Sequence, residues 1–211
     1  MLKAPWHQHQ TPRLRLLQTL GLYIMSLVSE FNIGFWHPFG PHGGEAPKQI
    51  LVRKQEEIEA NGWTLWSFQI RRTLAAWHKV ILDAEPHRVL VFCSEGKGST
   101  DPTGAIQHCS HYLPVGTDSF LPIPIAVKIP HPMGRKTEAS AFIVEKIDHP
   151  LNVQPLFPVQ WYVPRESVWR SDSLPTRGEY LIKHGGTNCL RKCSAVLVLK
   201  APYLAVVATE T

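Results

Sequence analysis

The sequence predicts an α+β fold: a curved sheet or small β-barrel with two helices at its periphery. Three observations lead there. Two stretches of helical periodicity lie in the first half of the chain, each followed by an apolar strand. The second half is a run of short β-branched and aromatic segments without helical spacing. Proline is frequent, 18 residues in 211, which argues against an all-helical fold and for short strands joined by turns.

The stretch from Glu45 to Phe68 carries the most information. Pro47 suits a first helical turn, where its missing N–H costs nothing, and Glu45 before it complements the positive helix end. Ile50, Leu51 and Ile58 fall on one side, while Lys48, Arg53, Lys54, Glu56, Glu57 and Glu59 occupy most of the rest. Asn61-Gly62 stops the helix, because both residues accept the left-handed conformation. Trp63 to Phe68 then reads as a strand, with Trp63, Leu65 and Ser67 on one face and Thr64, Trp66 and Phe68 on the other. Bulk on both faces predicts a central strand covered on both sides.

Before this stretch, Tyr23 to Phe31 reads as a first strand. Asn32 to Gly44 reads as a turn-rich loop carrying Phe35, Trp36 and Phe39 among its glycines and prolines. Arg72 to Glu85 predicts a second helix with Leu74, Trp77, Ile81 and Leu82 on its apolar face, closed by Pro86. Arg88 to Cys93 is a strand, Ser94 to Pro102 a flexible loop, and Gly104 to Ser119 has little periodicity. Phe120 to Ile129, interrupted by Pro122 and Pro124, is an edge strand or extended arm. Ala139 to Ile147 is a strand. Extended pieces follow, including Val159 to Val163, then a short strand at Glu179 to Lys183 and one or two more within Ser194 to Val207.

Residues 1–22 read as an N-terminal extension, and residues 23–211 as a single domain. Arg13 and Arg15 precede an apolar run, as in a signal peptide, but Gln18 and Thr19 interrupt it and no small-x-small cleavage site follows. The run is too short to cross a membrane, and Met25 is an alternative start. Four cysteines do not make a disulfide framework in a chain of this length, so a reduced, cytoplasmic setting with no membrane partner is expected. The net charge of +5 and pI near 9.1 fit a nucleic acid partner. No block of five basic residues marks a polyanion-binding tail.

The succession of a first strand, an aromatic loop, a helix, a Trp-containing strand and His87-Arg88-Val89-Leu90-Val91-Phe92-Cys93 resembles the PUA-like superfamily, which includes EVE, ASCH and YTH modules. Ala141 to Ile147, followed by Asp148-His149-Pro150, is similar to a later strand of that family. The resemblance spans residues 25–165. It departs at Phe120 to Pro132, richer in proline than a barrel strand. It implies a small β-barrel with peripheral helices. It also implies a pocket that accepts a base, often a modified one, flipped out of a nucleic acid strand.

From the residues themselves, the first candidate site is an aromatic pocket of Trp36, Trp66, Phe68 and Trp161. Ring faces stack on bases for about 1–3 kcal/mol each, and His37 and Ser67 could read a base edge. Trp36 and Trp66 would sandwich the base. The alternative is that these rings are core. Lys97 and Arg165 are candidate phosphate contacts. Gly96-Lys97-Gly98-Ser99-Thr100 is not a triphosphate-binding loop: Val91 stands where the first glycine belongs and Gly98 where Ser or Thr should follow the lysine. His108-Cys109-x-His111 and Cys189-x-x-x-Cys193 lack zinc-finger spacing. No cofactor is implied. The expected function is a non-enzymatic binding module for nucleic acid or a modified nucleotide base. Two alternatives stand beside it: a hydrolase using Cys93 or a metal held by His37, His42 and Glu45, and a structural partner protein without a ligand site.

Overall fold

The structure, a computed structural model, describes residues 31–68, 73–96, 106–130, 138–148, 157–172, 178–190 and 193–208. The extension and most of the strand expected at Tyr23 to Phe31 lie outside these residues. In chain order the elements are β1 (Ile33–Phe39), α1 (Pro47–Asn61), β2 (Thr64–Phe68), α2 (Leu74–Ala84), β3 (Val89–Glu95), β4 (Ile106–His108), β5 (His111–Pro114), β6 (Leu121–Pro122), β7 (Lys128–Pro130), β8 (Glu138–Asp148), β9 (Pro158–Val163), β10 (Val168–Arg170), β11 (Tyr180–His184), β12 (Asn188–Cys189) and β13 (Ala195–Ala208).

Both helices form where expected. α1 begins at Pro47, with the Ala46 N–H donating to Gln49 Oε1 at 2.8 Å. It ends at Gly62, whose positive φ of 76° lets its N–H reach the Ile58 carbonyl at 2.7 Å. α2 buries Leu74, Trp77 and Ile81, and Pro86 follows its end. Leu82 departs from expectation: it is 55% exposed, because one residue past Ile81 the helix has turned its side chain off the packed face.

The first β-strand corrects the sequence reading. Much of the predicted aromatic loop is strand β1, paired parallel to β3 and antiparallel to β11. Gly34 serves close approach rather than a turn: a Cβ there would lie 2.4 Å from the Leu90 carbonyl oxygen and 2.8 Å from the Phe31 ring. The true turn shrinks to the residues around Gly43 and Gly44, clasped by reciprocal His42–Glu45 backbone hydrogen bonds of 2.9 and 3.0 Å.

The strands form one mixed sheet in the order β10-β9-β11-β1-β3-β13-β5-β6; β8 pairs with β13, β2 with β8, and β12 with β9. β4 and β7 form a separate two-stranded ladder. The long β13 is the hub. Its first half lies between β3 and β8, and after register shifts between Val198 and Leu204 its second half lies between β5 and β8. The sheet curls until β1 faces β8, their Phe35 and Phe142 rings 4.9 Å apart; of the two forms expected it is the curved sheet and not the closed barrel, since among the described residues β10 and β6 end the ladder unjoined. Both helices pack on the concave side, where Leu51, Ile58, Trp77 and Ile81 meet Phe35, Phe142 and Leu197. A second cluster, including Phe31, Leu90, Phe92 and Phe157, covers the opposite face.

β2 is not central. Among the described residues it pairs with β8 alone. Its faces divide as predicted: Trp66 and Phe68 enter the concave core, and Leu65 packs with Tyr112 and Ile143 on the other side. The cover comes from the curl of the sheet and not from flanking strands. The edge reading of Phe120 to Ile129 holds, since β6 ends the sheet and β7 lies in the small ladder.

Candidate functional site

Alternation along β1 separates the predicted pocket residues. His37 points to the concave side and Trp36 to the opposite face. Trp66 and Phe68, 4% and 7% exposed, are core residues of the concave cluster. The Trp36–Trp66 sandwich is therefore corrected: the two rings lie on opposite sides of the sheet and cannot hold one base. Ser67, half-buried, shares the far face of β2 with Leu65 and stays apart from Trp66.

His37 instead forms a buried polar chain. The indole N–H of Trp66 donates to His37 Nε2 at 3.0 Å. On the other side of the ring, His37 Nδ1 lies 3.5 Å from Glu179 Oε1. Indole nitrogen is a donor only, so Nε2 must be the unprotonated nitrogen and Nδ1 carries the hydrogen. The arrangement has the carboxylate–imidazole order of a hydrolytic relay. The position a nucleophile would occupy is filled by Trp66, and the group is sealed from solvent.

Trp36 belongs to a different grouping. It stands opposite Tyr180 in the β1–β11 register, and the two rings lie 6.3 Å apart and 26° from parallel. Trp161 on β9 meets Tyr180 edge-on at 5.3 Å. All three rings are half-buried and pack on the convex cluster. Trp161 donates its indole N–H to Asp172 at 3.2 Å, and the Arg170 guanidinium stands 6.0 Å from its ring centroid. Arg170 is also held by both carboxylate oxygens of Glu166, at 2.8 and 2.6 Å. Arg165 is exposed at the tip of the β9–β10 hairpin that carries Trp161. Of the predicted site residues, then, the fold groups Trp36 and Trp161 through Tyr180, leaves Arg165 at the hairpin tip, and sets His37, Trp66 and Phe68 apart. Lys97 lies outside the described residues. Tyr180 and Arg170 were missed. Each follows an unremarkable stretch, and only strand pairing brings them to Trp36 and Trp161.

A buried ionic network was also missed. Lys54 and Glu57, off the apolar side of α1, are nonetheless 2% and 3% exposed. Lys54 Nζ donates to Glu57 Oε2 at 2.7 Å, to Thr64 Oγ1 at 3.3 Å and to the Lys128 carbonyl at 2.7 Å, which uses all three of its hydrogens. Glu57 also accepts from the Thr64 hydroxyl, from Arg53 at 2.8 Å and from the Lys128 amide at 3.1 Å. Arg53 bridges on to Glu45. Burial pulls Lys54 down to about 8, against a partial offset from Glu57. The side chains of α1 thus occupy the amide and carbonyl of Lys128, as a neighbouring strand would. Arg53 and Lys54 are engaged inside the protein and do not present charge to a phosphate.

The hydrolase alternatives lose their geometry. Cys93 is fully buried, and burial pushes its thiol well above the ordinary value, where a thiolate nucleophile is disfavoured. Burial likewise raises Cys193 to about 12. His37 faces the core while Glu45 is bound to Arg53, so the His37, His42 and Glu45 set does not assemble. Among the described residues no three His, Cys, Asp or Glu side chains converge as metal ligands. No helix of the described residues is long and apolar enough to cross a membrane. In comparison with known proteins, no family model, no curated protein and no solved structure matches the chain.

Proposed function

We propose that the protein is a binding module for a planar, base-like ligand, a nucleic acid base or modified nucleotide, taken on the face formed by Trp36, Tyr180 and Trp161. The carrying observation is that three half-buried aromatic rings from adjacent strands β1, β11 and β9 share one face beside Arg170. A base stacks on such rings whatever its edge. The PUA-like assignment belongs to the same proposal and is supported by the curled sheet with two helices. It now rests on a convex-face platform and not on an enclosed pocket between Trp36 and Trp66.

Fluorescence anisotropy with labelled single-stranded DNA and RNA tests the proposal. Binding is expected at low salt and should weaken as salt rises, since each phosphate contact releases counterions. Trp36→Ala and Trp161→Ala should each cost about 1–3 kcal/mol of affinity, the usual loss for one stacking partner. Absence of binding to every oligonucleotide and nucleotide at low salt would leave the aromatic face as a structural surface and sink the idea.

A further inference from the structure

Under the first turn of α2 the fold gathers polar groups that it does not pair. Thr73 Oγ1, Trp77 Nε1, His78 Nε2 and Ser140 Oγ are buried, and none has a hydrogen-bond partner among the described residues. Trp77 and Ser140 are 2% and 0% exposed. Buried polar groups are nearly always paired, so such a concentration calls for a partner that the chain does not supply. Strand register brings the groups together. Ser140 shares the concave face of β8 with Phe142 and Val144. Beside it stand Phe68 of β2 on one side and Val206 of β13 on the other, with Leu113 of β5 beyond Val206. Trp77 packs on Phe68, their rings 6.4 Å apart. The adjacent His78 leans the other way, onto Gly116 just past β5, where a Cβ would lie 2.8 Å from its ring. The helix therefore crosses above Ser140, between these two contacts, and Thr73 lies one turn before Trp77 on the same side of it.

The chemistry of the set is that of a donor cluster. Indole nitrogen donates only, the hydroxyls of Thr73 and Ser140 can donate, and a neutral imidazole donates from Nε2 in one of its two tautomers. All four surround the positive end of a helix whose N-terminus has no side-chain cap and no acidic residue in its first turn. Helix amides and hydroxyls at such an end favour an oxyanion. The floor on either side of Ser140 is apolar, Phe68 and Val206, which suits an anion carrying a short hydrocarbon group and disfavours phosphate, charged on every side. We propose that the space between Ser140 and the first turn of α2 is a binding site for a small organic carboxylate. Its oxygens would accept from Ser140, Thr73 and the Trp77 indole, and its alkyl group would lie on Phe68 and Val206. The site is on the concave side of the sheet, across it from Trp36, and stands independently of the aromatic face.

The test is titration of the full chain with sodium acetate at constant ionic strength, followed by heteronuclear NMR on the Trp77 indole hydrogen, assigned by its loss in Trp77→Phe. The indole signal should shift saturably, and the thermal midpoint should rise above that in equal sodium chloride, since a ligand held by the folded state stabilises it. Ser140→Ala should weaken acetate binding by about tenfold or more, the loss of one charge-assisted hydrogen bond. Three results would overturn the site: an indole signal that acetate leaves in place, a shift that chloride reproduces at equal ionic strength, or a Ser140→Ala protein that binds acetate as the parent does. An indole hydrogen in contact with a long-lived water and indifferent to acetate would assign these groups to internal water and overturn it equally. Should Ser140→Ala not fold, Thr73→Val, which keeps the shape and removes the hydroxyl, takes its place with the same expected loss.

Discussion

At the residue scale, two positions show side chains set by backbone contact and not by solvent. Gly34 lets β1 lie against β3, so Gly34→Ala must push a methyl into the Leu90 carbonyl, which cannot move without breaking the ladder. The cost expected is at the upper end of overpacking, about 3 kcal/mol, read as a lowered urea midpoint. Lys54 is the second. Lys54→Met leaves Glu57 buried with one partner fewer and should cost about 3–5 kcal/mol. The pH dependence has a definite sign. The folded protein holds the Lys54 proton only up to about pH 8, while the unfolded chain holds it to about the ordinary 10.5. Across that window the unfolded state binds more protons, so the lysine's contribution makes stability rise with pH. The raised thiols of Cys93 and Cys193 act oppositely, taking stability away as pH climbs past their ordinary 9.0. Both proteins share those thiols, so the difference in urea midpoint between parent and Lys54→Met isolates the lysine and should widen from pH 8 to pH 10.

At the element scale, what was legible in the sequence is what is specified locally. α1 has its proline start, its apolar spacing and its glycine stop within sixteen residues, β3 is an apolar run too short for a helix, and β8 carries Phe142-Ile143-Val144 at its centre. β1 was illegible because glycine and proline have two uses. At Gly34 the glycine answers a contact with Leu90, 56 positions on, and no neighbouring residue signals that. Lys54 and Glu57 were illegible for a related reason: charges three apart on a helix look the same whether they face water or a strand. The aromatic face is legible only after the fold is known, since Trp36 and Tyr180 meet through the β1–β11 register. The difference between the two tryptophans is testable here. Trp66→Ala removes a core side chain and should cost about 3–5 kcal/mol of stability. Trp36→Ala, on a half-buried face, should cost less than half as much by thermal denaturation while taking most of the ligand affinity. Equal destabilisation by the two would show that the Trp36 face is core.

At the scale of the whole molecule, the sheet depends on β13. This strand meets β3 and β8 through one half and β5 and β8 through the other, so the β10-to-β3 side of the sheet reaches β8, β5 and β6 through it. Val196, Leu197 and Val198 sit in its double-flanked half and are at most 4% exposed. The sheet ends are different in kind. Among the described residues β10 pairs with β9 alone and β6 with β5 alone, and Val168 and Leu121 on them are 41% and 42% exposed. Amides whose bonds lie between two neighbours open only when the structure around them is lost, whereas those at an edge open by fraying. Native-state hydrogen exchange should therefore place the amides of Val196 to Val198 and their β3 neighbours Leu90 to Phe92 at the free energy of global unfolding. The β6 and β10 amides should exchange several kcal/mol below that limit. Mild denaturant should accelerate the first set with the full slope of unfolding and leave the second nearly unaffected. If β13 instead exchanged as readily as β10, the curled sheet would not be one cooperative unit, and the aromatic face would rest on independently moving parts.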